Sequence, residues 1–394
     1  MTHRWMRWLA PGAALTAAAL LAACSSSSSS STSSSSGSSA SSSPSATSSV
    51  SAGLAAAQKM VAQLEATTST YPVPTASVSG VSKFAGKTVF YIPLDSHIPG
   101  FVVTAATMKT ALAKAGLKFQ ECDGQTNPTS IASCVSQAQG VNAAGIVLDA
   151  IPYGMAQNAL DGAKAKGIPI VIADQYAEGP NTNQVAAVPG VVNQPSQIAY
   201  WLIANSGGKA NAIIGEEEDS PSSIAYVQNA LPIFKQDCPD CHIVVKQITA
   251  SMSDQQITAS VTSNLQTDPG AQYYYTEFED SLQQTVSGIQ AAGKGSSIGV
   301  AVAGGSVNGL GLLKSGQLVK AVVAVDQPYA GWALTDEILR LMTKSGPVTE
   351  TFPSRLFDST NIGSIQVTSA AQGSGEWFGD DSYQAAFEKL WGVG

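Results

Sequence analysis

Positive charge is scarce in this sequence, and the few basic residues are scattered along it. Lys and Arg together number 20 against 28 Asp and Glu, which gives a formal net charge of −8. Because no basic patch is available to neutralise phosphates, we expect no nucleic-acid partner. Beyond the N-terminal region, no apolar run is long enough to span a membrane, which argues against a multi-span membrane protein.

Motifs of catalysis and cofactor binding are also missing. The segment Ser206–Lys209 lacks the glycine spacing of a phosphate-binding loop. The triplet Asp95–His97 contains letters of a hydrolytic triad, but no G-x-S-x-G elbow accompanies it. We therefore predict that the protein is not an enzyme and uses no cofactor or metal. An anchored hydrolase acting through His97 is the less favoured alternative.

The sequence holds only five cysteines, and their positions suggest different roles. Small residues lead into Cys24 at the end of an apolar stretch. If Cys24 is modified separately, four cysteines remain, and an even number can pair in an oxidising compartment. We predict disulfides between Cys122 and Cys134 and between Cys238 and Cys241. With His242 the second pair spells C-x-x-C-H, a haem-attachment spacing, but it lies in a linker between helix and strand.

The N-terminus has the layout of a secretory signal peptide. Arg4 and Arg7 precede an apolar stretch that ends at Ala23, directly before Cys24. This ending resembles the lipobox of bacterial lipoproteins. The resemblance implies cleavage after residue 23, lipidation of Cys24 and attachment to the outer face of the cell membrane. A serine-rich tether and leader are predicted over residues 24–82, with the compact fold beginning near Lys83.

From Lys83 onward, short apolar runs alternate with amphipathic helical patterns, which indicates parallel sheets covered on both faces. The predicted strands fall into two series separated by a break near Val185–Val192. The first series is Lys87–Pro93, Leu117–Gln120, Gly145–Leu148 and Ile168–Ala173; the second is Asn211–Ile214, Ile243–Lys246, Gln272–Tyr275, Ser297–Val302 and Val319–Val325. The fold class is therefore α/β, with two doubly wound units.

An ordered series of segments resembles the type I periplasmic solute-binding proteins, the ribose-binding-protein-like class that serves ABC transporters. The segments that carry the resemblance are Lys87–Pro93 followed by Pro99–Phe101, Asp123–Pro128, Ala144–Leu148, Ala165–Val171 and Asp326–Ala333. The resemblance implies two Rossmann-like lobes joined by a three-segment hinge. It places residues 83–189 and 327–350 in the first lobe, and 190–326 and 351–394 in the second.

The chain departs from the sugar-binding members of this class at their charged ligand contacts. The loop after Ile214 has no Arg, the position of an Asn-Asp pair reads Phe278-Glu279, and a later Asp position falls at about Gly304. The usual sugar clamp is therefore absent. The acidic loops Glu216–Asp219 and Glu277–Asp280 favour a cationic or neutral ligand over an anionic one.

Ligands of doubly wound sheets bind outside the carboxyl ends of the strands, so the loops there supply the candidates. The predicted ligand-binding residues are Asp95, His97, Phe101, Tyr153, Tyr176, Glu216, Phe278 and Asp326. We predict a monomer that delivers a small sugar-like or other polar solute to an ABC permease by hinge closure. A sensor that presents the bound state to a membrane receptor is the alternative.

Overall fold

The computed structural model describes residues 46–249 and 252–393, with side chains from residue 52 onward. The predicted signal peptide, the lipidation site Cys24 and most of the serine tract lie outside the described residues. Within those ranges, no helix combines the length and the apolar character needed to cross a lipid bilayer.

Two separate sheets organise the described chain. The first contains β1 Thr88–Pro93, β2 Lys118–Glu121, β3 Gly145–Asp149, β4 Ile170–Ala173 and β5 Val185–Val188. The second contains β6 Asn211–Glu217, β7 His242–Ile248, β8 Tyr273–Thr276, β9 Gly299–Gly304, β10 Val319–Val325 and β11 Ser354–Asp358. Their orders are β2-β1-β3-β4-β5 and β11-β10-β9-β8-β6-β7. All pairings are parallel except that of β10 with β11.

The helices follow the strands in the alternation that the sequence predicts. They are α1 Ala46–Glu65, α2 Pro99–Lys114, α3 Pro128–Gly140, α4 Gln157–Ala165, α5 Gln194–Asn205, α6 Pro221–Asp237, α7 Asp254–Thr267, α8 Leu282–Ala291, α9 Val307–Lys314, α10 Gln327–Thr343, α11 Ser369–Ser374 and α12 Ser382–Trp391. The predicted α/β class with two mostly parallel sheets is confirmed. The predicted break near Val185–Val192 is in part wrong, because Val185–Val188 forms the edge strand β5.

Each sheet is buried on both faces, which explains why its strands are almost continuously apolar. In the first sheet, Val89 and Tyr91 face α2 and α10, whereas Phe90 and Ile92 face α3 and α4. In the second sheet, α7, α8 and α9 cover one face, and α1, α5 and α6 cover the other. We call each sheet with the helices packed on it a lobe, first and second in chain order.

Helix α10 returns the chain from the second lobe to the first. It follows β10 of the second sheet, packs against α2, and is followed by β11, which pairs with β10. Gly331 allows the two helices to approach closely, because a Cβ there would lie 2.2 Å from Thr107 Oγ1. Together with the segment between β5 and α5, the chain thus passes between the lobes three times over residues 189–353.

Both flanking segments pack into the lobes. Helix α1 contacts α5, α6 and β11 of the second lobe, and Ala57 is fully buried there. Val78 and Val81 are buried in the core of the first lobe. The packed chain therefore begins upstream of Lys83, since these apolar side chains find cores to enter. Helix α12 also enters the first core, although the predicted boundaries assign residues 351–394 to the second lobe.

Candidate functional site

The carboxyl ends of the parallel strands meet between the lobes, and side chains cross this cleft. The hydroxyl of Tyr226 on α6 donates to the carbonyl oxygen of Asp174 at 2.6 Å. The backbone N–H of Tyr176 donates to Ser222 Oγ at 2.9 Å, and Asn229 Nδ2 donates to the Tyr176 hydroxyl at 3.0 Å. These contacts hold the loop after β4 against the first turns of α6, so the cleft is narrow at this point.

On the first-lobe side, two buried carboxyl groups end neighbouring strands. Asp149 closes β3, Asp174 follows β4, and the Tyr91 hydroxyl donates to Asp149 Oδ2 at 2.6 Å. Burial raises the pKa of Asp149 to about 6. Burial and the charge of Asp149 raise the pKa of Asp174 well above its usual range. Each of the two carboxyl groups therefore ionises less readily than a solvated one.

The backbone turns sharply where these acids lie. Asp174 has φ of 56° and Ala150, directly after Asp149, has φ of 57°. Such left-handed conformations are uncommon for residues other than glycine, and they cluster at ligand sites. Both turns lie directly at the carboxyl ends of their strands, β3 and β4.

On the second-lobe side, Glu217 ends β6 and Glu277 follows β8. The backbone N–H of Glu217 donates to Glu277 Oε2 at 2.7 Å, and Ser281 Oγ donates to Glu217 Oε1 at 2.9 Å. Burial, followed by the charges of Asp280 and Glu277, raises the pKa of Glu217 well above its usual range. Burial also raises the pKa of Glu277. The second lobe therefore contributes its own buried acidic pair.

Among the described residues, no basic side chain pairs with these four acids. The ion pairs in that part of the chain join other residues: His97 with Asp95, Lys114 with Glu388, Lys164 with Asp161, Lys246 with Asp268 and Arg340 with Asp336. One oxygen each of Asp149, Asp174 and Glu277 is buried without a hydrogen-bond partner. The cleft therefore offers acceptors to a ligand that donates hydrogen bonds.

The mouth of the cleft carries a further carboxylate, Glu279, at the N-terminus of α9. It accepts from the backbone N–H groups of Gly305, Ser306 and Gly309 at 2.7, 2.8 and 2.7 Å. These are the donors that could otherwise hold an anion at a helix N-terminus. A pocket of about 630 Å³ opens beside them, lined by Pro99, Ser306, Val307, Asn308, Gly311, Leu312, Ser369 and Gln372.

Three of the predicted site residues lie on the strand ends or the crossing segments. Tyr176 contacts the second lobe as described, and its ring packs 5.1 Å from that of Tyr226. Asp326 caps α10 and is buried, with its pKa raised to about 7 by burial. Glu216 is buried within β6, but its carboxylate binds Gln228 and Gln247 at 2.8 and 3.2 Å.

The other five predicted residues lie farther toward the rim. Asp95 and His97 form a pair with a 3.0 Å contact, and Asp123 joins them within 4.8 Å. Tyr153 donates to Asp161 at 2.7 Å. Phe101 lies in the first turns of α2, and Phe278 precedes a short 3₁₀ turn; both are half-buried. The structure does not bring all eight residues into one constellation.

The buried acids are the residues that sequence reasoning misses as individual candidates. The sequence points to the loops beginning at Asp149 and Asp174, but it favours their aromatic residues Tyr153 and Tyr176. In the second lobe it marks the acidic runs and favours Glu216 over Glu217. The available signal in the sequence is a carboxylate at or directly after the last position of an apolar strand. Such a residue lies at the carboxyl end of the sheet, where ligands bind.

The chain matches one family model, described as a periplasmic binding protein domain, over residues 89–345. None of the curated proteins matches the chain by sequence. Several solved structures are similar in fold. A 5-methylthioribose transporter solute-binding protein from Thermotoga lettingae has 14% identity and a TM-score of 0.64, covering 78% of this chain and 98% of that one.

Two other solved structures are similar to the chain to about the same degree. A myo-inositol-binding protein from Caulobacter has 19% identity and a TM-score of 0.62, with 74% of this chain and 98% of that chain covered. A protein from Mycobacterium smegmatis, solved in complex with β-D-fucofuranose, has 16% identity and a TM-score of 0.60, with 77% and 98% covered. At these identities the comparison shows that the fold is shared.

Proposed function

The chain belongs to the periplasmic binding protein family, and on that premise we propose that it is an extracytoplasmic solute-binding protein of an ABC importer. It binds a small polar solute in the cleft between its lobes, and it neither forms nor breaks a covalent bond in that solute. We include in the proposal that the protein is a monomer, anchored through a lipid on Cys24 and presented to a membrane permease. The family is one of binding proteins, which agrees with the prediction that the chain is not an enzyme.

Closure of the lobes around the solute is the proposed mechanism. The segments that pass between the lobes at residues 189–193, 326 and 344–353 would act as the hinge. The Tyr226–Asp174 and Tyr176–Ser222 hydrogen bonds join the lobes directly, so opening would break them and closing would form them. A solute that binds both cleft faces stabilises the closed form, which the permease then recognises.

One observation carries the proposal: each lobe places buried carboxyl groups at the carboxyl ends of its strands, where the two lobes touch. Tyr226 of the second lobe lies near both sets. Its hydroxyl donates to the Asp174 carbonyl oxygen, and burial and the charges of Asp174 and Glu277 raise its pKa. The ligands bound in similar structures, myo-inositol and 5-methylthioribose, are small hydroxylated molecules. A small polar solute as the ligand of this chain is consistent with those two molecules.

The test is ligand-induced stabilisation combined with a measurement of closure. A thermal-shift screen of sugars, polyols and amines should find a solute that raises Tm, and small-angle scattering should show a smaller radius of gyration with it. Tyr226→Phe should weaken binding, because the closed form loses one contact between lobes. Tyr200→Phe, on the outer helix α5, is the matched control. A solute that binds tightly without compaction, or equally well to Tyr226→Phe, would contradict the mechanism.

A transport assay separates import from signalling. Cells lacking the protein should lose uptake of the solute identified in the screen, and the wild-type chain should restore it. Cys24→Ala should leave solute binding by the purified protein unchanged, while reducing its retention on membranes. Unimpaired uptake in the deletion strain would refute the importer role.

A further inference from the structure

We propose that the solute carries a protonated amine, an inference that rests on the proposed binding function and names the chemical class of its ligand. The cleft is acidic on both faces, its unpaired oxygens accept hydrogen bonds, and its helix N-terminus already holds a carboxylate. The first two observations favour a cation, and the third disfavours an anion.

The first observation is the charge of the cleft. Asp149 and Asp174 approach from the first lobe, and Glu217, Glu277 and Asp280 from the second. No Lys or Arg of the described chain forms an ion pair with any of them. Because an unpaired carboxylate is costly to bury, burial raises the pKa values of these groups. A bound ammonium group would favour their ionised forms, so protons that they carry would be released to solvent.

The second observation is the balance of donors and acceptors. Asp149 Oδ1, Asp174 Oδ1 and Glu277 Oε1 are buried and have no hydrogen-bond partner among the described residues. An ammonium group has three donors and no acceptor, so it can satisfy carboxylates without requiring a donor in return. The half-buried ring of Tyr176, next to Asp174, is a suitable surface for a cation.

The third observation concerns anions. The backbone N–H groups that begin α9 could bind a phosphate or carboxylate ligand, but Glu279 already accepts from three of them. Ser306 Oγ also donates to this carboxylate. An anionic solute would have to displace Glu279 and would then meet the remaining acids. The cleft therefore selects against negative charge by its own structure.

Matched pairs of probes test the amine against the hydroxyl at constant shape. Glucamine with sorbitol and putrescine with butanediol each compare an amine with its hydroxyl counterpart, and binding is measured by thermal shift and calorimetry. We expect the amine of at least one pair to bind about tenfold more tightly or better, as a charge-assisted contact implies. Calorimetry in buffers of different ionisation enthalpy should show protons released with the amine but not with the hydroxyl compound.

Glu277→Gln keeps the shape of the side chain and removes its charge, so it should erase the preference for the amine. Glu376→Gln, an exposed site on the second lobe, should leave that preference intact. Circular dichroism and a melting curve establish that each variant is folded, and Glu217→Gln supplies a second cleft variant.

Hydroxyl compounds that bind as well as their amines would overturn the amine class but leave solute binding in place. The amine class is equally refuted if no pair shifts Tm or if Glu277→Gln retains the preference. If no solute in the broader thermal-shift screen raises Tm, the proposed function itself is overturned.

Discussion

The hydroxyl of Tyr71 donates to Asp326 Oδ2 at 3.3 Å, joining residues separated by 255 positions. Tyr71 lies in the segment between α1 and β1, and Asp326 lies where the chain leaves β10 for α10. The Tyr71 ring stacks on Tyr329 with a centroid distance of 5.4 Å. The upstream segment, expected from the sequence to be a leader, therefore contacts one of the three passages between the lobes within residues 189–353.

Tyr71→Phe should lower the free energy of unfolding by about 1 kcal/mol, because a part-buried hydrogen bond to a carboxyl group is lost. Tyr383→Phe is the matched control. Its ring lies 4.7 Å from that of Tyr71, but its buried hydroxyl has no hydrogen-bond partner among the described residues. Urea unfolding of both variants measures the difference. Equal destabilisation by the two substitutions would contradict a role for the Tyr71 hydrogen bond.

The contribution of Asp326 to the free energy of unfolding should fall as pH rises from about 4 to about 7. Burial raises the pKa of Asp326 to about 7 from its ordinary value of 3.8. Over this window the unfolded chain releases the proton while the folded chain retains it, which favours unfolding. Above pH 7 both states are ionised and the trend from this group ends. Asp149, with its pKa raised to about 6, acts in the same direction.

Asp326→Asn removes that titration, so its melting temperature should depend less on pH between about 4 and 7 than that of the wild type. Melting curves at several pH values supply the comparison. Asp380→Asn is the control, because Asp380 is exposed and hydrogen bonds from Ser382 lower its pKa. A wild-type Tm profile reproduced in full by Asp326→Asn would exclude this residue as a source of pH dependence.

Gly331→Ala should destabilise the first lobe by about 1–3 kcal/mol, since an added methyl group overpacks the contact between α2 and α10. Its Cβ would meet Thr107 Oγ1 at 2.2 Å and Met108 N at 2.7 Å. Gly140→Ala, at the end of α3, is the control because no atom lies within 4 Å of its added Cβ. Chemical denaturation measures both, and an undiminished stability of Gly331→Ala would refute the close approach.

The two disulfides should contribute unequally to stability. The Cys122–Cys134 bridge spans 12 residues and the Cys238–Cys241 bridge spans 3. From loop-closure entropy, replacing both cysteines of the longer loop by serine should cost about 3 kcal/mol, and of the shorter about 1.5 kcal/mol. Denaturation of the two double variants tests the order. A larger loss at Cys238–Cys241 would show that the loop-entropy account does not apply here.

The apolar strands and the helical spacing of the sequence predict most of the fold. Val319–Val325 forms a strand over the predicted residues, and both predicted disulfides are present. The edge strands β5 and β11 are harder to predict, because their formation depends on β4 and β10 offering unpaired edges. No local pattern encodes such a partner.

The sequence predicts the region of the binding site but not the individual residues that form it. Doubly wound topology directs attention to the strand ends, and Tyr176 and Asp326 do lie at contacts near the interlobe passages. Whether a carboxylate there is buried depends on the opposite lobe, as Tyr226 shows by covering the loop that contains Asp174. That relation joins residues far apart in sequence, and their individual identities do not reveal it.

The aromatic core of the first lobe also constrains when this protein can fold. Trp391 stacks on Trp332 with ring centroids 5.5 Å apart, and Phe387 is buried beside them. Residues 88–188 form the first sheet, yet the cover of its α2–α10 face needs side chains from the far end of the described chain. During synthesis, therefore, the first lobe stays incomplete until nearly the whole described chain has emerged. Folding of the first lobe therefore depends on contacts between residues far apart in sequence, which slows it relative to a lobe closed by local contacts.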